Sequence, residues 1–266
     1  LKTLYFGHNS ANKEGKMLEG WLWLLAAFAV FVAGMSKGGF GSGIGFVSSA
    51  ILAVVLEPTH ALALMLPLLI IMDFSALKPY WKQWDGPSTR VLVIGSVFGC
   101  IAGILLFKII SADALRLMIG AIALLFPLFQ LARARGWISP QPRDFSSRDG
   151  IIAGIAAGFT SFISHAGGPA VAVFMLSQRN VGKTLYQATT VIVFWAINLM
   201  KFASYAYLGL FSWDLMGDVA LLAPVAIFGT WVGVKAHHAI PERLFFGITY
   251  VALVLTGVKL IYDGLF

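Results

Sequence analysis

Ten apolar runs separated by short polar turns limit what this chain can fold into. They lie at Leu18 to Met35, Ile44 to Leu56, Ala61 to Leu77, Val91 to Phe107 and Leu115 to Leu131. The series resumes at Ile151 to Ile163, Ala170 to Leu176, Leu185 to Leu210, Leu215 to Val234 and Leu244 to Ile261. Most approach the roughly 20 residues that an α-helix needs to cross hydrocarbon. Of the 266 residues 12% are charged and 59% hydrophobic, against about 25% charged in a soluble domain. Water is therefore not the main solvent. Stretches such as LLIIM and IALLF do not alternate, which argues against a β-barrel, and helices remain as the way to satisfy the backbone in lipid. Trp21, Trp23, Trp81, Trp84, Trp137 and Trp213 sit at run ends, as in an interfacial aromatic belt.

Residues 1–16, LKTLYFGHNSANKEGK, precede Met17, where the apolar pattern begins. They read as an expression remnant or a polar tail and are set aside. No small-residue cleavage site follows the first run, which argues against a cleaved signal peptide. The single cysteine, Cys100, excludes an intrachain disulfide or a cysteine metal cluster and reads as a packing residue. The formal charge of +7 is dispersed through short inter-helix turns, so it points to membrane orientation and not to nucleic acid.

The chain repeats itself. AGMSKGGFGSGIGFVSSAIL from Ala33 aligns without a gap on AGFTSFISHAGGPAVAVFML from Ala157, a shift of 124 that puts Gly34 on Gly158, Gly43 on Gly167 and Leu52 on Leu176. Gly99 and Gly103 match Gly229 and Gly233 at a shift of 130, and Asp113 resembles Glu242. Two membrane units, 17–131 and 151–266, flank a polar linker, 132–150. Arg133, Arg135, Arg143 and Arg148 assign that linker to the cytoplasm.

The runs flanking two Gly-rich stretches are short, which predicts broken or re-entrant helices. If each stretch is the tip of a helical hairpin, each unit has five segments and the copies are inverted. Charge fits: the turns at Arg179 and Lys183 and from Lys235 to Arg243 are basic, as are the surroundings of Lys78, Lys82 and Arg90. The turns at 55–60 and 207–214 lack Lys and Arg. The predicted fold is an all-α polytopic membrane protein of two inverted pseudo-symmetric repeats, each a Gly-broken hairpin plus three transmembrane helices. The chain then sits in a bacterial inner membrane with both termini outside. Lys108 and Arg116 flank a turn that this arrangement puts outside, and a parallel repeat with a kinked span is the alternative.

The two breaks, SKGGFGSGIG from Ser36 and SHAGGP from Ser164, are the candidate substrate site. Glycines let the chain leave helical geometry, expose peptide N–H groups and present a positive helix end, so two such breaks face to face would cradle an anion. The expected donors lie at Gly38, Gly39, Gly41, Gly43, Gly167 and Gly168, with hydroxyls from Ser36, Ser42, Ser161 and Ser164. Lys37 adds positive charge and His165 a titratable donor; the plainer readings are a snorkelling lysine and a packed histidine. Asp73, in LLIIMDFSAL, is a candidate for proton coupling beside His165, or else pairs with a basic neighbour. Gln187 and Asn198 are the favoured pathway residues, near Thr189 and Thr190, and Lys201 either lines the pathway with them or reaches an interface. His237 and His238 diverge on a helix and read as a cytoplasmic turn, with no metal site. HExxH, P-loop, nucleophile-elbow and CxxC signatures are absent from the sequence.

These Gly-rich breaks, their duplication, and the helix-starting pairs Ala112-Asp113 and Pro241-Glu242 resemble the sulfite exporter TauE/SafE family, also called the transmembrane sulfur transporter family. The resemblance covers Met17 to Phe266. It implies secondary transport of a small sulfur-containing anion, such as sulfite, thiosulfate or an organosulfonate like sulfoacetate, without a cofactor. A family glycine pattern maps onto Gly38, Gly39, Gly41, Gly43, Gly167 and Gly168, whereas Lys37 and His165 rest on the residues alone. The expected partners are that anion and the lipid bilayer, with proton or ion coupling and a homodimer left open. The competing readings are an anion channel and a membrane assembly factor that transports nothing.

Overall fold

The computed structural model describes residues 20–39, 45–137, 143–237 and 242–266. Ten helices run through them: α1 (Trp21–Gly39), α2 (Gly45–Val55), α3 (Pro58–Leu77), α4 (Gly86–Phe107), α5 (Ala112–Ala134), α6 (Ser147–Ser164), α7 (Gly168–Leu176), α8 (Lys183–Tyr207), α9 (Trp213–Ala236) and α10 (Glu242–Leu265). Each apolar run became one helix. Six of these (α1, α3, α4, α5, α8 and α9) are long and apolar enough to cross a membrane. Local chemistry fixes many boundaries. Asp85, Ser111, Ser146 and Ser212 each accept a hydrogen bond from a peptide N–H in the first turn of α4, α5, α6 and α9, which satisfies donors that a helix start leaves open. Proline opens α3, α4 and α7, where its missing N–H costs nothing.

α6 and α7 form a hairpin whose open ends meet. The Arg143 peptide N–H, just before α6, donates to the Ser177 carbonyl just after α7 at 2.8 Å, and Arg179 returns a bond to the Arg143 carbonyl. The linker's described end at Arg143 therefore lies at the base of this hairpin, and α7 goes back towards the end from which α6 came. In the first half, Ser48 of α2 donates to Ala29 in the middle of α1. The tip of that hairpin, Phe40 to Ile44, lies outside the described residues.

Helix pairing is close and specific. α1 packs on α9 and α4 on α6, each pair running parallel: Gly34 lies against Ala226 and Gly38 against Thr230, while Gly95 meets Ile151 and Gly99 meets Ile155. At Gly99 any Cβ would overlap the Ile155 carbonyl oxygen and come within 2.7 Å of the Phe159 nitrogen. Only glycine lets the two backbones touch there. The pairs α3 with α8 and α5 with α10 run antiparallel. Asp73 meets Asn198 while Ala76 and Tyr80 pack near Ala188 and Val191, and Gly120 lies against Gly257 while Gly264 faces Asp113. α3 is the central helix and is buried along most of its length.

The outer surface matches a bilayer. Phe98, Ile101, Leu105, Leu125, Leu128, Leu221 and Phe228 are exposed, and exposed tryptophans mark both ends, Trp21 and Trp213 at one, Trp81 and Trp137 at the other. Arg116 pairs with Asp113 at 2.6 Å and Lys108 lies over the Tyr207 ring, so of the two basic residues that dissent from the charge pattern one is balanced by an acid and the other rests on an aromatic face.

Overpacking a seam of this kind costs about 1–3 kcal/mol. Gly99→Val is expected to lower the melting temperature of the detergent-purified protein clearly. Gly217→Ala in α9, where an added methyl meets nothing within 4 Å, should leave it unchanged in the same thermal scan.

Candidate functional site

Polar groups from four helices meet at the centre of the protein, where hydrocarbon surrounds the bundle. Lys37, in the last turn of α1, sends its ammonium to α3, donating to the Leu69 carbonyl at 3.0 Å and pairing with the Asp73 carboxylate. The other Asp73 oxygen accepts from Asn198 Nδ2 of α8 at 2.7 Å. Asn198 Oδ1 faces the ammonium of Lys201, one turn further along α8, at 3.5 Å. Lys201 also donates to the Ser161 hydroxyl at 3.2 Å and contacts His165 Nδ1. His165 Nε2 closes the circuit on α3 through the Leu62 carbonyl at 3.1 Å. Since a carbonyl can only accept, Nε2 carries the ring proton and Nδ1 is free to accept from Lys201. One chain of hydrogen bonds thus leaves α3 at Leu69 and returns to it at Leu62.

Every member is buried: Lys201 is 0% exposed, Asp73 1%, Asn198 2%, Lys37 5% and His165 5%. A buried charge is tolerated only when it is paired and hydrogen-bonded, and the network supplies both. It contains two lysines and one carboxylate. With both ammonium groups protonated, the cluster carries one positive charge more than its own acid balances.

His165 gains its position from an unusual backbone. It caps α6 in the left-handed region, φ 57° and ψ 13°, which favours glycine or asparagine. Its N–H bonds to the Ser161 carbonyl and that of Ala166 to the Thr160 carbonyl, so the helix end is satisfied. The ring then projects to α3 and α8.

Around this centre, side chains hold the end of α1 and the α6 break. Gln187 Nε2 donates to the Lys37 carbonyl at 2.6 Å, Tyr80 to the Gly38 carbonyl at 2.8 Å, and His237 Nδ1 to the Gly39 carbonyl. Burial pushes the Tyr80 phenol up to about 12, so it remains a donor at physiological pH. In the second half, Tyr205 donates to the Phe162 carbonyl at 2.7 Å.

The structure brings Lys37, Asp73, His165 and Asn198 together, and adds Lys201 and Ser161. Several expectations change. Lys201 does not reach an interface; its neighbours on α6 and α8 supply enough polar partners to keep it inside. Asp73 does pair with a basic neighbour, Lys37. Gly38 and Gly39 do not leave helical geometry: both belong to α1 and are pressed on α9, where a Cβ would overlap the Thr230 and Gly233 carbonyl oxygens. Gly167 similarly abuts the Ala157 carbonyl and the Phe194 ring, and Gly168 begins α7. Ser164 donates to the Thr160 carbonyl of its own helix, and Ser36 is buried within α1. Gln187 holds a backbone carbonyl near the network without joining it. His237 is no surface turn residue, being 3% exposed. Gly41, Ser42, Gly43 and His238 lie outside the described residues.

Removing one partner of a buried ion pair costs about 3–5 kcal/mol, whereas replacing both with apolar groups can be neutral. Lys37→Met should therefore melt well below the native protein, and Lys37→Met/Asp73→Leu should recover most of the loss, giving a large coupling in a double-mutant cycle of thermal denaturation.

A family model described as sulfite exporter TauE/SafE matches residues 26–260. No curated protein and no solved structure matches the chain.

Proposed function

Because this chain belongs to the sulfite exporter TauE/SafE family, a family of membrane transporters of sulfur anions, we propose that it is a secondary transporter whose substrate binds at the Lys37–Lys201 cluster. The observation that carries this reading is the charge of the cluster. Two buried lysines lie near one carboxylate, which pairs with Lys37; with both lysines protonated the second charge is uncompensated away from water, which is costly. An oxyanion small enough to lie between the ammonium groups completes the balance, with Ser161 and Asn198 as further donors. Sulfite, thiosulfate and an organosulfonate such as sulfoacetate all present the required negatively charged oxygens. Asp73 and His165 each contact a lysine and each can hold a proton when the anion departs, so proton coupling uses these two groups.

Alternating access fits better than a channel. The lysines, Asp73 and His165 are closed to solvent, and side chains lock the backbone on both sides of them. A carrier needs such an occluded state, and an open pore does not. An inverted repeat supplies the symmetry. The antiparallel crossing of α3 with α8 and of α5 with α10 supports it, since a parallel repeat would make equivalent helices run the same way. The linker, the start of α4 and the turn between α7 and α8 occupy one end of the bundle. Arg90, Arg133, Arg135, Arg143, Arg148, Arg179 and Lys183 belong to these segments, which supports a cytoplasmic linker and outward termini.

A ligand that binds only the folded state at about a hundredfold excess over its Kd stabilises it by about 2.7 kcal/mol. One or more of sulfite, thiosulfate and sulfoacetate should raise the melting temperature of the purified protein where chloride does not. Lys201→Met should abolish the rise, and proteoliposomes should take up the same labelled anion. If none of the three shifts melting or crosses the membrane, the substrate assignment is wrong.

A further inference from the structure

Resting on the reading of the lysine cluster as the anion site, we infer that Phe107, Phe162 and Tyr205 form the gate closing it from the end of the bundle opposite the linker, with Tyr80 and His237 its counterpart at the linker end.

A cavity of about 280 Å³ opens at the first of these ends, where α3 and α5 begin and α4 and α8 end; Glu57, Lys108, Ser111 and Leu208 are among its walls. Phe107 also lines it. Beneath, three aromatic rings fill the space towards the lysines. Phe107 lies 5.9 Å from Phe162 in an edge contact and 6.2 Å from Tyr205 in a stacked one, and Phe162 and Tyr205 are 5.2 Å apart. Phe162 and Tyr205 are both fully buried. Phe162 follows Ser161, and Tyr205 lies one turn beyond Lys201, so the same two helices carry the plug and the anion-facing groups. Gly103 leaves room for the plug, since a Cβ there would come within 2.7 Å of the Phe162 side chain. The Tyr205 hydroxyl latches the plug by donating to the Phe162 carbonyl at 2.7 Å.

The linker end repeats the plan at the shifts of 124 to 130 residues that relate the halves. Tyr80 stands for Tyr205, Gly38 for Phe162 and His237 for Phe107. The Tyr80 hydroxyl donates to the Gly38 carbonyl at 2.8 Å, and the His237 ring meets the Tyr80 ring edge-on at 5.9 Å. One latch thus recurs at both ends on the equivalent hairpin carbonyl. The chemistry differs: glycine replaces one ring and histidine another, and His237 donates to the Gly39 carbonyl. The linker-end gate is a hydrogen-bonded latch, and the opposite gate is an apolar plug. Opening either one requires the tyrosine to leave its carbonyl, which frees the hairpin beneath the anion.

The chain's single cysteine reports on the plug. Cys100 lies two turns below Phe107 on the same face of α4, is 3% exposed, and directs its thiol at the Gly158 carbonyl of α6. The test is the rate at which the full chain, in detergent, is modified at Cys100 by the anionic reagent 2-sulfonatoethyl methanethiosulfonate, with melting temperatures measured in parallel. The native protein should react slowly. Phe107→Ala should react at least tenfold faster, and Tyr205→Phe, which removes only the latch, several-fold faster. Tyr80→Phe, at the other end, should react at the native rate. A native rate for Tyr205→Phe in folded protein, or equal acceleration by Tyr80→Phe, overturns the assignment; should Phe107→Ala fail to fold, the two tyrosine variants decide alone. Labelling requires no substrate. Accelerated labelling without binding of any sulfur anion upholds the gate and rejects the substrate reading, and binding with unaltered labelling does the reverse.

Discussion

The pairing of Lys37 with Asp73, relayed through Asn198 to Lys201 and His165, is the constraint on which the rest of the structure depends. In a bilayer core nothing outside the protein can solvate these groups, so each must find its partners on another helix. That requirement fixes how deep α1 enters, how α8 is rotated, and where α6 stops. Both terminal bonds of the chain fall on carbonyls of α3, at Leu62 and Leu69, seven residues apart on one face. The central helix is the backboard against which both hairpins are positioned, and Pro67 between those carbonyls marks a place where its own ladder of bonds is interrupted.

The described ends of the two breaks contribute packing as well as polar groups. Among the described residues, glycines at the end of α1 bring backbones together, and at the α6 break Gly167 does the same. Charge and hydrogen-bonding capacity come from side chains placed next to them. His165 shows how closely the two functions are joined. Its backbone ends α6 in a left-handed turn costing about 1–2 kcal/mol for an ordinary residue, and its ring bridges two further helices. A glycine would relax the turn and lose the bridge.

Much of this was legible in the sequence. The apolar runs marked the helices, because period and length survive packing. Lys37, Asp73, His165 and Asn198 stood out because polar groups in apolar runs must be accounted for. Lys201 stood out too, but with two readings, pathway or interface, and only the three-dimensional approach of α6 provides Ser161 and His165 as inner partners. His237 was lost for a similar reason, since its acceptor, the Gly39 carbonyl, is 198 residues away. The roles of Gly38 and Gly39 were misjudged because glycine permits a break and a close approach equally, and sequence does not show which neighbour arrives. Tyr80 and Tyr205 gave no signal as single aromatics near helix ends.

The glycine seams have a mechanical meaning. Where α1 touches α9 and α4 touches α6, backbone lies on backbone at the glycines. Such contacts are stiff, as close-packed interiors are. Each pair therefore forms a single strut, and the contacts made through flexible lysine, asparagine and tyrosine side chains where α3 and α8 cross are the more compliant ones. For two stiff struts, any rotation about the charged centre displaces their ends most, at the membrane surfaces farthest from the pivot.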